Sequence, residues 1–329
     1  MLHGGDVWQG ASPKMWLDFS ANLRPEGPPA WTLNAMQEAV WEARYYPDLK
    51  MRAARHGLAA YAGVDELCIL PTAGGIAAID LACSLSSGRV CIQPPTFGEY
   101  ARRAEAHGRT VVESPDVNLR PGDTVFLCNP NNPTGFAHSR EQVLALADRA
   151  RRAGATLVVD EAFIDYCPEC SVRDRAARDE NLLVTGSLTK SLCVPGARLG
   201  YLIGRPEPIA WLEETMEPWS LNAMAASIAR ALPAHHSELR ADCRRNADRR
   251  EALRTGLCAL GAKVLPSQAN FLLADFGWDM TRVASVLRDD HILVRLCDSF
   301  GLGKGFVRFA IKREAENRRL LDALEKALR

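Results

Sequence analysis

Thr124-Val125-Phe126-Leu127-Cys128 runs into Asn129-Pro130-Asn131-Asn132-Pro133-Thr134-Gly135, then a helical pattern over 140–153, then Thr156-Leu157-Val158-Val159-Asp160. Two short apolar, β-branched runs separated by a polar turn and an amphipathic stretch describe a β–α–β unit. A strand that is apolar along its whole length is buried on both faces, as in parallel sheets covered by helices. The pattern recurs outward from this stretch. Strand-like runs occupy 67–70, 89–92, 110–113, 182–185 and 199–203, with helical patterns at 76–85 and 99–107. The expectation is an α/β fold whose large domain holds a mostly parallel seven-stranded sheet between helices.

After about Pro218 the pattern changes. A helical stretch over 222–260 is interrupted near Pro233, followed by a strand at 270–274 and a helix near 281–288. Strands at 292–295 and 306–310 and a last helix over 313–328 complete a smaller α+β C-terminal domain. The expected organisation is an N-terminal segment (1–24) packed on the small domain, a large domain (25–218) and a small domain (219–329).

The 329 residues are 47% hydrophobic and 24% charged, which suits a globular enzyme of about two domains. Forty basic and forty acidic residues balance, so no long-range field favours nucleic acid or an anionic membrane. The Arg244-Arg245 and Arg249-Arg250 clusters, interleaved with acids, read as a solvated helix face. No apolar run reaches the ~20 residues of a membrane span, and Met1–Asp6 has no secretory pattern. Ten scattered cysteines, several within apolar runs, point to a reducing cytoplasm. Cys167-Pro168-Glu169-Cys170 has the spacing of half a zinc site but no second pair, so no metal is expected. Gly301-Leu302-Gly303-Lys304-Gly305 matches no phosphate-loop fingerprint and reads as a turn between strands.

Several residue groups carry chemistry. The turn containing Asn132 sits at a strand's carboxyl end, where ligands bind open α/β sheets. Turn geometry accounts for its prolines and glycine but not for the asparagine, whose amide can donate to a phenolate. Asp160 ends the next apolar strand, where a carboxylate can keep a pyridine nitrogen protonated. Thr72-Ala73-Gly74-Gly75-Ile76 joins a strand to a helix. Its glycines allow close backbone approach, and the helix start offers N–H groups to a phosphate. Phe97 can stack on a flat ring. In Ser187-Leu188-Thr189-Lys190, the lysine can form a Schiff base with an aldehyde. Ser187 and Arg198, eight residues after the lysine, can clamp a phosphate.

In chain order these groups run glycine turn, Phe97, the Asn132 turn, Asp160, then Lys190 with Arg198, and in that order the chain resembles the fold-type I pyridoxal phosphate enzymes, the aspartate aminotransferase superfamily, over nearly its whole length. The resemblance implies that Lys190 bonds the cofactor, Asp160 pairs with its pyridinium and Asn132 bonds its O3′. Gly74, Gly75, Ser187 and Arg198 would hold its phosphate, and Phe97 would stack on the ring.

Within the superfamily the chain is similar to two neighbouring groups, the threonine-phosphate decarboxylases and the histidinol-phosphate aminotransferases. His3-Gly4-Gly5, the stretch Asp18-Phe19-Ser20-Ala21-Asn22, and Phe163 where aminotransferases usually carry tyrosine favour the decarboxylases. So does Ile292-Leu293-Val294-Arg295 leading to Phe306-Val307-Arg308. By this resemblance His3, Asn22, Arg295 and Arg308 meet the anionic ends of a phosphorylated amino acid or amine. Tyr46 would reach the cofactor phosphate of a second subunit, implying a homodimer with shared active sites. The glycine turn departs from the more usual Gly-Asn-Gly-Ala, and Leu296 stands where aspartate is usual. The expected activity is decarboxylation of threonine or serine phosphate, of the cobalamin-biosynthesis type. The alternatives are a histidinol-phosphate-type aminotransferase and, remotely, a non-catalytic paralogue. The same residue types serve decarboxylation and transamination, and the bond held perpendicular to the ring decides between them.

Overall fold

The structure, a computed structural model, describes residues 4–8, 12–114 and 118–329. His3 lies outside the described residues. In chain order the strands are β1 (Leu17–Asp18), β2 (Ile69–Thr72), β3 (Val90–Ile92), β4 (Val111–Glu113), β5 (Thr124–Cys128), β6 (Thr156–Asp160) and β7 (Leu182–Ser187). They continue as β8 (Gly200–Ile203), β9 (Lys263–Val264), β10 (Phe271–Asp275), β11 (Ile292–Leu293), β12 (Arg295–Leu296) and β13 (Phe306–Ala310).

Seven strands form one sheet in the order β2-β8-β7-β6-β5-β3-β4. The pairs from β4 through β7 are parallel, and β8 runs antiparallel between β7 and β2. The mostly parallel seven-stranded α/β sheet is therefore as its apolar runs predict. Leu157, Val158 and Val159 are fully buried, which a sheet covered on both faces requires. The crossover helix Arg140–Arg152 starts at a capping box. Ser139 Oγ accepts from the Gln142 N–H at 3.3 Å, and Gln142 Oε1 accepts from the Ser139 N–H at 2.8 Å. Arg149, Arg151 and Arg152 sit at its negative end.

Two expected elements shift and one unexpected strand appears. The strand expected at 67–70 is found at Ile69–Thr72, because Asp65 caps a short 3-10 turn at Glu66–Cys68 by accepting from the Leu67 N–H at 2.8 Å. The strand expected at 292–295 splits at Val294. Its first half, β11, pairs in parallel with β1, and its second half, β12, joins the antiparallel sheet β12-β13-β10-β9. The two-residue strand β9 was not foreseen; it pairs with the end of β10.

Two large cores form. One lies around the seven-stranded sheet. The other gathers Phe19, Leu253, Leu272, Phe309 and Leu320 between the four-stranded sheet and helices Thr281–Asp289 and Glu314–Leu328. The larger core extends through Leu221, Ile228 and Cys243, so the expected divide at residue 219 falls inside it. The cause is helix Ala223–Ala231, which packs on helices Ala30–Ala39 and Arg52–Ala62. Gly57 permits that approach: a Cβ there would collide with the Ala229 carbonyl.

Candidate active site

The register of the large sheet brings several chain segments to one edge. Cys128, Asp160 and Thr185 stand side by side on β5, β6 and β7. Thr72, Gly200 and Ser187 do the same on β2, β8 and β7. Turns leaving this edge carry the candidate residues.

Gly74 has φ +85° and ψ 172°, a conformation essentially restricted to glycine, and helix Gly75–Ser84 begins beside it. A Cβ on Gly74 would lie 2.7 Å from Arg198 Nη2, and one on Gly75 would lie 3.2 Å from Ser187 Cβ. Gly200 is equally constrained, since a Cβ there would lie 2.5 Å from the Gly74 carbonyl carbon. Three glycines thus let a helix start, a hydroxyl and a guanidinium converge. Ser187 Oγ and Thr189 Oγ1 are 2.8 Å apart within the cluster. Arg198 makes no ion pair among the described residues; its head group contacts the Pro195 carbonyl at 3.3 Å. These groups fit a phosphate, which needs N–H donors and positive charge where backbone can come close.

Lys190 lies near this cradle with Nζ 3.3 Å from Thr189 Oγ1. Burial, with help from Arg198 and Arg308, pulls its ammonium from the ordinary 10.5 down to about 8, against an opposing pull from Asp160. An amine so lowered is partly neutral near neutral pH and can attack a carbonyl. The buried Asp160 is pushed up by desolvation and drawn back down chiefly by two donors, with Lys190 and the Thr185 hydroxyl adding to them. The Tyr100 hydroxyl donates to Oδ2 at 2.6 Å, and the Ala162 N–H donates to Oδ1 at 3.1 Å.

The substrate-side candidates meet at Arg308, on β13. Its Nη1 donates to Asn132 Oδ1, and its Nη2 donates to the Ser20 carbonyl at 2.7 Å. That grip sets the amide of Asn132, leaving its two N–H donors for a ligand. Arg308 Nε is buried without a hydrogen-bond partner, and its head group lies 5.4 Å above the Phe271 ring. Burial lowers its affinity for its proton to about 10. Arg295 stands directly across from Arg308 in the β12–β13 ladder, both buried. Like charges placed opposite on a sheet are unfavourable alone, so the pair suits an anionic ligand. Arg295 also donates to Ser299 Oγ at 2.7 Å. The Ser20 carbonyl is held in a turn built by Asp18, whose Oδ1 accepts from the Ser20 N–H at 2.8 Å and hydroxyl at 2.6 Å. Gly5 reaches the same serine, donating to its Oγ at 2.8 Å.

Asn22 is buried with Oδ1 unpartnered, and its carbonyl accepts from Asn270 Nδ2 at 3.0 Å. Phe97 is half-buried, edge-on to Tyr100 at 5.7 Å. Tyr46 stands apart: it is 81% exposed, with its ring 4.8 Å from Trp219. Phe163 packs on Phe271 at 5.0 Å. Two contributors escaped the sequence reading, Tyr100 and Ser20. Tyr100 stands three residues after Phe97, at the start of helix Glu99–Ala106, and the two rings meet edge-on. Ser20 acts through its carbonyl, which no residue type reveals. Among the described residues no group of three or more potential metal ligands occurs, and no helix is long and apolar enough to cross a membrane.

The chain is also similar to known proteins. The family model for aminotransferase class I and II matches residues 13–324. A threonine-phosphate decarboxylase of Salmonella typhimurium is 32% identical over 350 aligned positions, covering 99% of this chain and 96% of that protein. A histidinol-phosphate aminotransferase of Aeromonas salmonicida is 35% identical over 270 positions, covering 76% of each. Among solved structures, L-threonine-O-3-phosphate decarboxylase from Porphyromonas gingivalis superposes with a TM-score of 0.87 at 26% identity, covering 94% of this chain and 98% of that one.

Proposed function

Because the chain belongs to the class I and II aminotransferase family, we propose that it is a pyridoxal phosphate-dependent lyase. Its proposed reaction is decarboxylation of a phosphorylated amino acid such as threonine phosphate or serine phosphate. The observation that carries the substrate class is the buried cross-strand pair Arg295 and Arg308, with Arg308 lacking any ion pair among the described residues. A substrate bearing a carboxylate and a phosphate offers the charge such a pair requires. The near full-length likeness to a threonine-phosphate decarboxylase, and Phe163 in place of a phenol, favour decarboxylation over transamination.

The bound cofactor would supply an electron sink for the charge left on Cα. Gly74, Gly75, Ser187 and Arg198 hold its phosphate, Asp160 keeps its ring nitrogen protonated, Asn132 donates to O3′ and Phe97 covers a ring face. Lys190 would hold the cofactor covalently, and its lowered amine is suited to carry a proton. Arg308, steadied by Ser20 and assisted by Arg295, Asn22 and His3, would bind the anionic groups of the substrate and fix its orientation. The exposure of Tyr46 and of Trp219, whose rings lie 4.8 Å apart, supports a homodimer in which Tyr46 reaches the partner's cofactor phosphate.

The test is turnover by the cofactor-loaded protein. Release of CO2 from threonine or serine phosphate without an oxo acid supports the proposal. Activity on histidinol phosphate that depends on 2-oxoglutarate replaces it with transamination, and cofactor uptake without either reaction marks a non-catalytic paralogue.

A further inference from the structure

Tyr100 is fully buried on helix Glu99–Ala106. Its ring lies nearly parallel to Phe126 of β5 at 4.9 Å and edge-on to Phe97. Packing on two sides leaves the phenol little freedom, and its hydroxyl meets Asp160 Oδ2 at 2.6 Å. The other carboxylate oxygen is taken by the Ala162 N–H at 3.1 Å. One donor on each oxygen fixes both the position and the plane of the carboxylate.

We propose that Tyr100 is a positioning residue that keeps Asp160 ionised and aimed at the ring nitrogen of the cofactor. This rests on the pyridoxal phosphate reading above. The physical need is specific. A buried carboxylate tends to take up a proton, and a neutral carboxyl cannot hold a pyridine nitrogen protonated. A hydrogen bond donated to the charged form counters that tendency, and such bonds are stronger than neutral ones. The phenol suits the task because burial, and Asp160 itself, hold it well above the ordinary tyrosine range, so it always donates. The other groups facing Asp160 are Lys190, which favours its charge, Cys128 on β5 and Thr185 on β7. The Thr185 hydroxyl, buried without a hydrogen-bond partner of its own, also favours the charge, but the Tyr100 hydroxyl is the side-chain donor seated at hydrogen-bond distance, 2.6 Å.

Tyr100→Phe removes only the hydroxyl and keeps both ring contacts. The experiment measures the dissociation constant of pyridoxal phosphate across pH for the wild-type protein and the variant. It is repeated with the 1-deaza analogue, which carries C–H in place of the ring nitrogen. The variant is expected to bind pyridoxal phosphate about tenfold more weakly. The acid-side loss of affinity should also move to higher pH, because Asp160 protonates more readily. Toward the deaza analogue the two proteins should be alike. Equal weakening for both ligands makes Tyr100 a packing residue and overturns the inference, as does unchanged affinity with an unchanged acid limb. A wild-type protein that takes up no pyridoxal phosphate overturns the functional reading and this inference together.

Discussion

Replacing Lys190 by methionine should stabilise the cofactor-free protein, and by an amount that depends on pH. In the folded chain the ammonium titrates near 8 rather than 10.5, chiefly because it is buried. A tenfold change in proton affinity corresponds to about 1.4 kcal/mol, so charging Lys190 in place costs about 3 kcal/mol. The sign follows from proton counting. Between 8 and 10.5 the unfolded chain binds the proton and the folded chain does not, so wild-type stability climbs with pH across that window. Below it the full penalty applies. Methionine fills similar volume without charge and is exempt from the penalty. Asp160 loses a favourable neighbour in the variant, which brings the expected net gain to between about 1 and 3 kcal/mol. Thermal or denaturant midpoints of the two cofactor-free proteins, measured well below pH 8 and again near pH 10.5, provide the assay. The variant's advantage should be largest at the lower pH and close toward the higher one. An advantage that does not vary with pH, or a variant less stable at the lower pH, would refute the reasoning that a buried ammonium is held there under strain.

Arg308→Met should lower kcat/KM for the phosphorylated substrate by about a hundredfold or more, while cofactor affinity changes less than about tenfold; equal losses in both would remove Arg308 from substrate binding. Gly74→Ala places a Cβ 2.7 Å from Arg198 Nη2 on backbone with φ +85°, so it should cost about 1–3 kcal/mol in stability and weaken uptake of the phosphorylated cofactor more than that of pyridoxal. Arg173→Met leaves the fully buried Glu161 carboxylate without its 3.0 Å partner and should destabilise the protein by about 3–5 kcal/mol. Adding Glu161→Gln should recover part of that loss, as read by thermal midpoint.

The large sheet was legible because each of its strands is a short apolar run between turn-forming residues. Burial on both faces leaves that mark on the sequence itself. The phosphate and ring-nitrogen candidates were legible for a related reason. Gly74, Gly75, Asn132, Asp160 and Lys190 all sit in turns, at a helix start or at strand ends, where residue type is chosen by backbone geometry or chemistry rather than by packing. The break at Val294 was not legible, because Ile292-Leu293-Val294-Arg295 is a plausible single strand locally. Only the arrival of Leu17–Asp18 on one side and β13 on the other divides it. The extent of the larger core past residue 219 was hidden in the same way, in a glycine at 57 and a carbonyl at 229.

Sequence alone therefore determined the fold class, the order of the chemical groups and the family to which they point. These depend on periodicity and turn chemistry, which act over a few residues. Tertiary structure decided how the groups are tuned. It set Arg308 against Asn132, 176 positions away in the chain, placed the Ser20 carbonyl under the same guanidinium, and brought the Tyr100 hydroxyl to Asp160. It also lowered Lys190 by burying it among arginines. Hydrogen bonds and desolvation of this kind depend on distances between remote segments, and those distances exist only once both cores have packed.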